Sequence, residues 1–89
     1  MKKPNFTTQF DKDLKLIQKQ GKDLTKIKAI MFDLIVENPL PPKNNDHPLH
    51  GNYKGHRECH IEPDWLLIYY YKSDEVHFVR NGSHSELYG

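Results

Sequence analysis

The seven-residue run Trp65-Leu66-Leu67-Ile68-Tyr69-Tyr70-Tyr71 constrains this chain more than any other feature. It contains no polar alternation, so it reads as a strand covered on both faces. It is far shorter than the ~18–20 residues that span a bilayer, and no other apolar run approaches that length. With 89 residues in all, the chain is expected to form one small domain, residues 1–89, around this strand. The start, Met1 to Phe10, has two lysines but no apolar stretch of the signal-peptide kind. A single cysteine, Cys59, excludes an intrachain disulfide and with it a disulfide-stapled secreted scaffold. The expectation is a soluble, cytoplasmic protein with no membrane partner.

The flanking segments give the run its context. Residues 3–7 carry a weak edge-strand signal. Thr8-Gln9-Phe10-Asp11 fits a helix-capping pattern, and Phe10, Leu14 and Ile17 then recur as one apolar stripe. Gly21 is a C-terminal stop and Asp23 a second cap. The next stripe is Leu24, Ile27, Met31 and Leu34, reinforced by Ile30 and Ile35, and Asn38-Pro39 is expected to end it. Residues 39–55 form a long polar connection with four prolines and two glycines, the kind of loop that often carries function. Residues 56–62 alternate like a strand, Pro63-Asp64 turns, and the apolar run follows. Lys72-Ser73-Asp74 turns again, 75–80 reads as a strand, Asn81-Gly82 as a turn, and 83–88 as a short strand or one helical turn. Helices and strands are segregated, which predicts an α+β fold: an N-terminal helical hairpin on a twisted antiparallel β-sheet. The hairpin covers one sheet face and leaves the other, or its rim, for function.

The formal net charge is only +1, too even for a polybasic nucleic-acid binder. That sum hides an asymmetry. Residues 1–28 hold eight lysines against three aspartates, whereas residues 29–89 hold five Lys+Arg against nine Asp+Glu. All six histidines, His47, His50, His56, His60, His77 and His84, fall in the second part. The lysines form either a solvated helix face or a patch facing RNA or an acidic partner.

Histidines suggest metal first, but the spacing argues against it. Four residues along a strand cover roughly 13 Å, so His56 and His60 cannot share an ion with ligand bonds of ~2.1 Å. His47 and His50 lie in a loop without a second ligand motif. Cys59 and His60 point to opposite strand faces and make no dyad; Cys59 reads as a small core residue. Neither a nucleophile elbow nor a glycine-rich phosphate loop is present. No metal or other cofactor is expected. Acid–base chemistry on a substrate carrying its own nucleophile remains, and the RNA 2′-hydroxyl is such a nucleophile. Histidine suits both proton transfers near neutral pH, cations would offset charge on the phosphorane, and exposed aromatics could stack on bases.

Several segments also carry a family resemblance. Asp46-His47-Pro48-Leu49, Gly51-x-Tyr53-Lys54-Gly55, Arg57-Glu58-x-His60-Ile61-x-Pro63-Asp64-Trp65 and Arg80-x-Gly82-Ser83-His84-Ser85 together resemble YafQ-type toxins of the RelE/ParE superfamily. Phe10-x-x-Asp13-Leu14-Lys15 fits as well. The resemblance implies a ribosome-dependent endoribonuclease cutting A-site mRNA. It also implies a ribbon-helix-helix antitoxin similar to DinJ, and operator DNA contacted only through the toxin–antitoxin complex. Carried over by position, the catalytic residues fall on His47, His60, Asp64 and His84. Substrate contacts fall on Arg80, Trp65, Tyr88, Glu58 and Lys54. Asp64 and His60 are expected to serve the 2′-hydroxyl side, with His47 orienting the phosphate and His84 as general acid. For Arg80 the alternative is a structural ion pair, and for Trp65 a core anchor; Arg57 is expected to pair with a carboxylate inside the fold. His50, His56 and His77 match no motif and are expected to be solvent-facing or structural. The rival readings are a ParE-like inhibitor of DNA gyrase and a non-catalytic module that only binds its antitoxin.

Overall fold

A computed structural model describes all 89 residues. The chain runs β1 (Lys3–Phe6), α1 (Thr8–Lys19), α2 (Leu24–Ile35), β2 (His47–Pro48), β3 (Arg57–Glu62), β4 (Trp65–Lys72), β5 (Glu75–Gly82) and α3 (His84–Tyr88), with 3-10 turns at Pro42–Asn44 and Gly51–Tyr53. The five strands form one sheet in the order β1-β5-β4-β3-β2. Neighbours are antiparallel except β1, which pairs parallel to β5, so the expected antiparallel sheet is mixed at one edge.

The apolar run became the middle of this sheet, and alternation along it defines two faces. Trp65, Leu67 and Tyr69 face the helices, where they join Phe10, Ile17, Ile27, Leu34, Cys59, Val76 and Phe78 in a single core. Leu66 and Ile68 point the other way, against Leu87 of α3 with Leu49, Tyr53 and Val79. Each fully buried large side chain contributes roughly 1.5–3 kcal/mol, so the helix-covered face holds most of the hydrophobic stabilisation. Burial pushes the Cys59 thiol up to about 12, consistent with a core cysteine.

Four local expectations shift. Helix α1 is capped by Thr7, not Thr8: the Thr7 hydroxyl accepts from Phe10 N–H at 2.9 Å. Helix α2 ends at Ile35 rather than at Asn38-Pro39. Glu37 takes the left-handed conformation (φ 62°), and Asn38 N–H bonds Asp33 C=O at 2.8 Å. That is a glycine-type stop built with a glutamate, invisible to a search for glycine. Asn81-Gly82 continues β5 rather than turning. A Cβ at Gly82 would lie 3.0 Å from Glu86 Oε1, which closes the capping box of α3. The long 39–55 connection is also less irregular than expected, because His47 and Pro48 pair with Glu58 and Arg57 at the sheet edge.

Candidate active site

Register places His60 opposite Leu66 and Glu58 opposite Ile68, on the face away from the helices. Strand β2 brings His47 beside Glu58, and α3 brings His84 over the same end. The imidazoles of His47, His60 and His84 follow one another at centroid separations of 6.3 and 5.9 Å. Each has carboxylate support. His84 Nδ1 lies 2.6 Å from Asp64 Oδ1, which also accepts His84 N–H at 2.9 Å. His47 Nε2 and His60 Nε2 lie 3.4 and 3.5 Å from one oxygen of Glu58. The other Glu58 oxygen accepts from the Tyr88 hydroxyl, whose ring stands edge-on to Tyr53.

These contacts assign tautomers. A carboxylate only accepts, so the His84 proton facing Asp64 is on Nδ1 and Nε2 is left for chemistry. His47 Nδ1 faces the Asn45 carbonyl at 2.7 Å and its Nε2 faces a Glu58 oxygen at 3.4 Å, so both of its ring nitrogens have an acceptor beside them. Glu58 is only 5% exposed, and one of its oxygens lies between the two imidazoles. The backbone N–H of His84 and then its side chain hold the Asp64 carboxyl below its ordinary range, so Asp64 stays ionised near neutral pH.

Asp64 therefore serves His84. Its partner is His84 and not His60, because the turn after β3 delivers its carboxylate to the first turn of α3. Trp65 is a core anchor and not a base-stacking platform. It is wholly buried and donates Nε1–H to Asn81 Oδ1 at 3.2 Å, which leaves no ring face for a base. Arg80 stands opposite Ile68 on the histidine face, but its Nε and Nη2 are engaged by Asp13 at 2.8 and 3.1 Å. That pairing, then Tyr53 nearby, holds its guanidinium charged above the ordinary range. Of the two readings of Arg80, the structural ion pair is present, and it keeps a cation on the histidine face. Tyr88 is half exposed and keeps its ring available. Lys54 closes the Gly51–Tyr53 turn as an exposed residue without an ion pair. Arg57 pairs with Asp46 at 3.2 Å on the helix-covered side, where Tyr69 also bonds Asp46.

Asp13 was not singled out from sequence as a site residue. Its two oxygens take Arg80, Asn81 N–H and Gln9, and it is 7% exposed. The signal was present: Asp13 interrupts the apolar stripe between Phe10 and Ile17, where a charge needs a partner.

The fold is that of a bacterial toxin of the type II toxin–antitoxin class: the YafQ model of that class matches residues 2–89. The chain belongs to the YafQ toxin family. The mRNA interferase toxin YafQ of Escherichia coli (strain K12) is 45% identical over 86 residues, 94% of this chain and 92% of that protein. Escherichia coli YafQ in its crystal structure with DinJ superposes with a TM-score of 0.93 at 43% identity, covering all of both chains. A metal-bound toxin from Helicobacter pylori superposes with a TM-score of 0.93 at 46% identity, over 99% of this chain and all of that one. No three His, Cys, Asp or Glu residues are placed to hold an ion. His47 and His60 instead converge on a single Glu58 oxygen at ion-pair distances. No helix is long and apolar enough to cross a membrane.

Proposed function

We propose that this chain is a ribosome-dependent endoribonuclease, the toxin of a type II toxin–antitoxin pair, which cuts mRNA by general acid–base catalysis. The reading is carried by one observation: three aligned imidazoles whose carboxylate partners divide them, Asp64 behind His84 and Glu58 behind His47 and His60. Pairs of titratable groups in different environments are how one site supplies both an acid and a base. The Glu58-backed imidazole, His47 or His60, takes the proton of the RNA 2′-hydroxyl. The 2′-oxygen attacks the adjacent phosphorus, the bond from phosphorus to the 5′-oxygen breaks, and His84 imidazolium returns a proton to that oxygen. The products are a 2′,3′-cyclic phosphate and a 5′-hydroxyl. Asp64 steadies the His84 imidazolium, and Glu58 that of the base. Arg80, oriented by Asp13, offers positive charge to the phosphate, and the Tyr88 ring a surface for a base. Lys54, exposed beside Tyr53, offers a second cation to the RNA backbone.

Relatives named mRNA interferase and the DinJ–YafQ complex support the same reading, including an antitoxin as partner; the proposed partner is a DinJ-like antitoxin of the ribbon-helix-helix kind. Contact with operator DNA would be made through that antitoxin. The test is primer extension on a translated message with purified protein and ribosomes. Cuts with cyclic or 3′-phosphate ends, unaffected by prior chelator treatment of the protein and lost in His84→Ala, are expected. Products with 3′-hydroxyl ends contradict the mechanism. Inhibition of DNA gyrase without message cleavage would replace it with the gyrase reading.

A further inference from the structure

Two of the three histidines that matched no motif, His56 and His77, come together. His56 and His77 flank Tyr70: His77 stacks flat on it (4.6 Å, 1° between planes), and His56 meets it edge-on at 4.8 Å. Tyr53 stands edge-on to His56 at 5.6 Å and to Tyr88 at 6.1 Å. Tyr88, Tyr53, His56, Tyr70 and His77 therefore form one continuous aromatic strip. Tyr70 follows Leu66 and Ile68 in alternation, so the strip lies on the histidine face and runs from the candidate active site toward the opposite end of the sheet.

Three observations bear on its occupant. The helices cover the other face of the sheet, and α3 reaches only the active-site end of this one. The rings are partly exposed, not packed into a core. Exposed lysines stand at its rim, Lys54 one residue past Tyr53 and Lys72 two past Tyr70 on the same face. The acids in contact with the strip are both engaged: Glu75 is paired to His77 at 3.0 Å, and Glu58 accepts from the Tyr88 hydroxyl. Aromatic surfaces with flanking cations, continuous with an RNA-cleaving site, suit the bases and phosphates of a single strand.

We infer that Tyr53, His56, Tyr70 and His77 form a secondary binding track for single-stranded RNA, which holds nucleotides beyond those at the cleavage point. The inference rests on the nuclease reading above and adds the path of the substrate. The track sets affinity for longer RNA, not the chemical step.

The test uses the full chain and uncleavable 2′-O-methyl oligoribonucleotides of 4 and 12 nucleotides, with binding read by fluorescence anisotropy. The unaltered protein should bind the longer strand at least tenfold more tightly. Tyr70→Leu and His77→Leu, which keep apolar bulk but remove the ring, should each weaken the longer strand by about 5- to 150-fold, the range for one lost stacking contact. Binding of the shorter strand and the rate at saturating message on ribosomes should be unchanged. Equal affinity for both lengths in the unaltered protein, or variants that bind the longer strand normally, overturns the track. Weaker antitoxin binding with normal RNA binding overturns it in favour of a protein interface. Absence of cleavage by the unaltered protein removes the nuclease reading instead, a result separate from any binding outcome.

Discussion

The two faces of the sheet use the same strands for opposite purposes. The face under α1 and α2 is dry: Phe10, Ile27, Trp65, Leu67 and Phe78 are buried there, and the Asp13 carboxylate at its margin is engaged by Arg80 and Asn81. The other face carries Glu58, His60, His84 and Tyr88, with buried carboxylate next to exposed imidazole. Strand alternation sends adjacent residues to each, so Cys59 is core while Glu58 and His60 are site. A mutation one position away thus moves from the core to the proposed site.

The contrast is broken most strongly at His84. His84→Ala should lower cleavage by ~10²–10⁴-fold, the usual contribution of a positioned acid. Its melting temperature should barely move, since the side chain is half exposed. A parallel loss of stability would dissolve the distinction between faces. Phe78→Ala is the opposite case. It should cost ~3–5 kcal/mol by urea unfolding, as large-to-small changes in packed cores do, and retain the kcat of the folded fraction. Next comes Asp13→Asn, where the faces meet. Loss of charge leaves Arg80 with a weaker partner and should cost ~1–3 kcal/mol, with KM for message rising more than kcat falls.

Acid should act through the carboxylates. Asp64, Glu62 and Glu86 are held below their ordinary range, by His84, by Lys26 and Lys22, and by Ser83 N–H with Gln20 respectively. Groups with a depressed folded-state pKa stabilise above the unfolded carboxylate range of ~4, and that contribution is lost as pH falls through the folded value. Melting temperature should therefore drop below about pH 4, and Asp64→Asn should flatten part of the drop. A smaller effect is expected from the lysine-rich hairpin. Lys2, Lys3, Lys22 and Lys26 are already ion-paired. Lys12, Lys15, Lys19 and Lys28 have no such partners, and changing these four to Gln should weaken ribosome association with a reduced salt slope and leave stability unaltered. Unchanged association would make them only a solvated face.

Periodicity made the helices legible, because buried stripes at three- and four-residue spacing leave a direct trace: Phe10, Leu14 and Ile17 pack as read. The site was legible as residue types, because the His, Asp and Arg positions stand in recognisable motifs. Their partnerships were not. Nothing local tells Asp64 to meet His84 and not His60, since their contact spans 20 residues and depends on where α3 lands. The Tyr88–Glu58 contact spans 30 residues, and Arg80–Asp13 spans 67.

By itself, the sequence determined the two amphipathic helices, the central apolar strand and the inventory of acid–base groups, because each depends on neighbours within a few residues. The tertiary structure alone decided the parallel edge strand, the burial of Trp65, and the division of three imidazoles between two carboxylates. Those features depend on register and crossing points, and a sheet sets them only when distant segments pair.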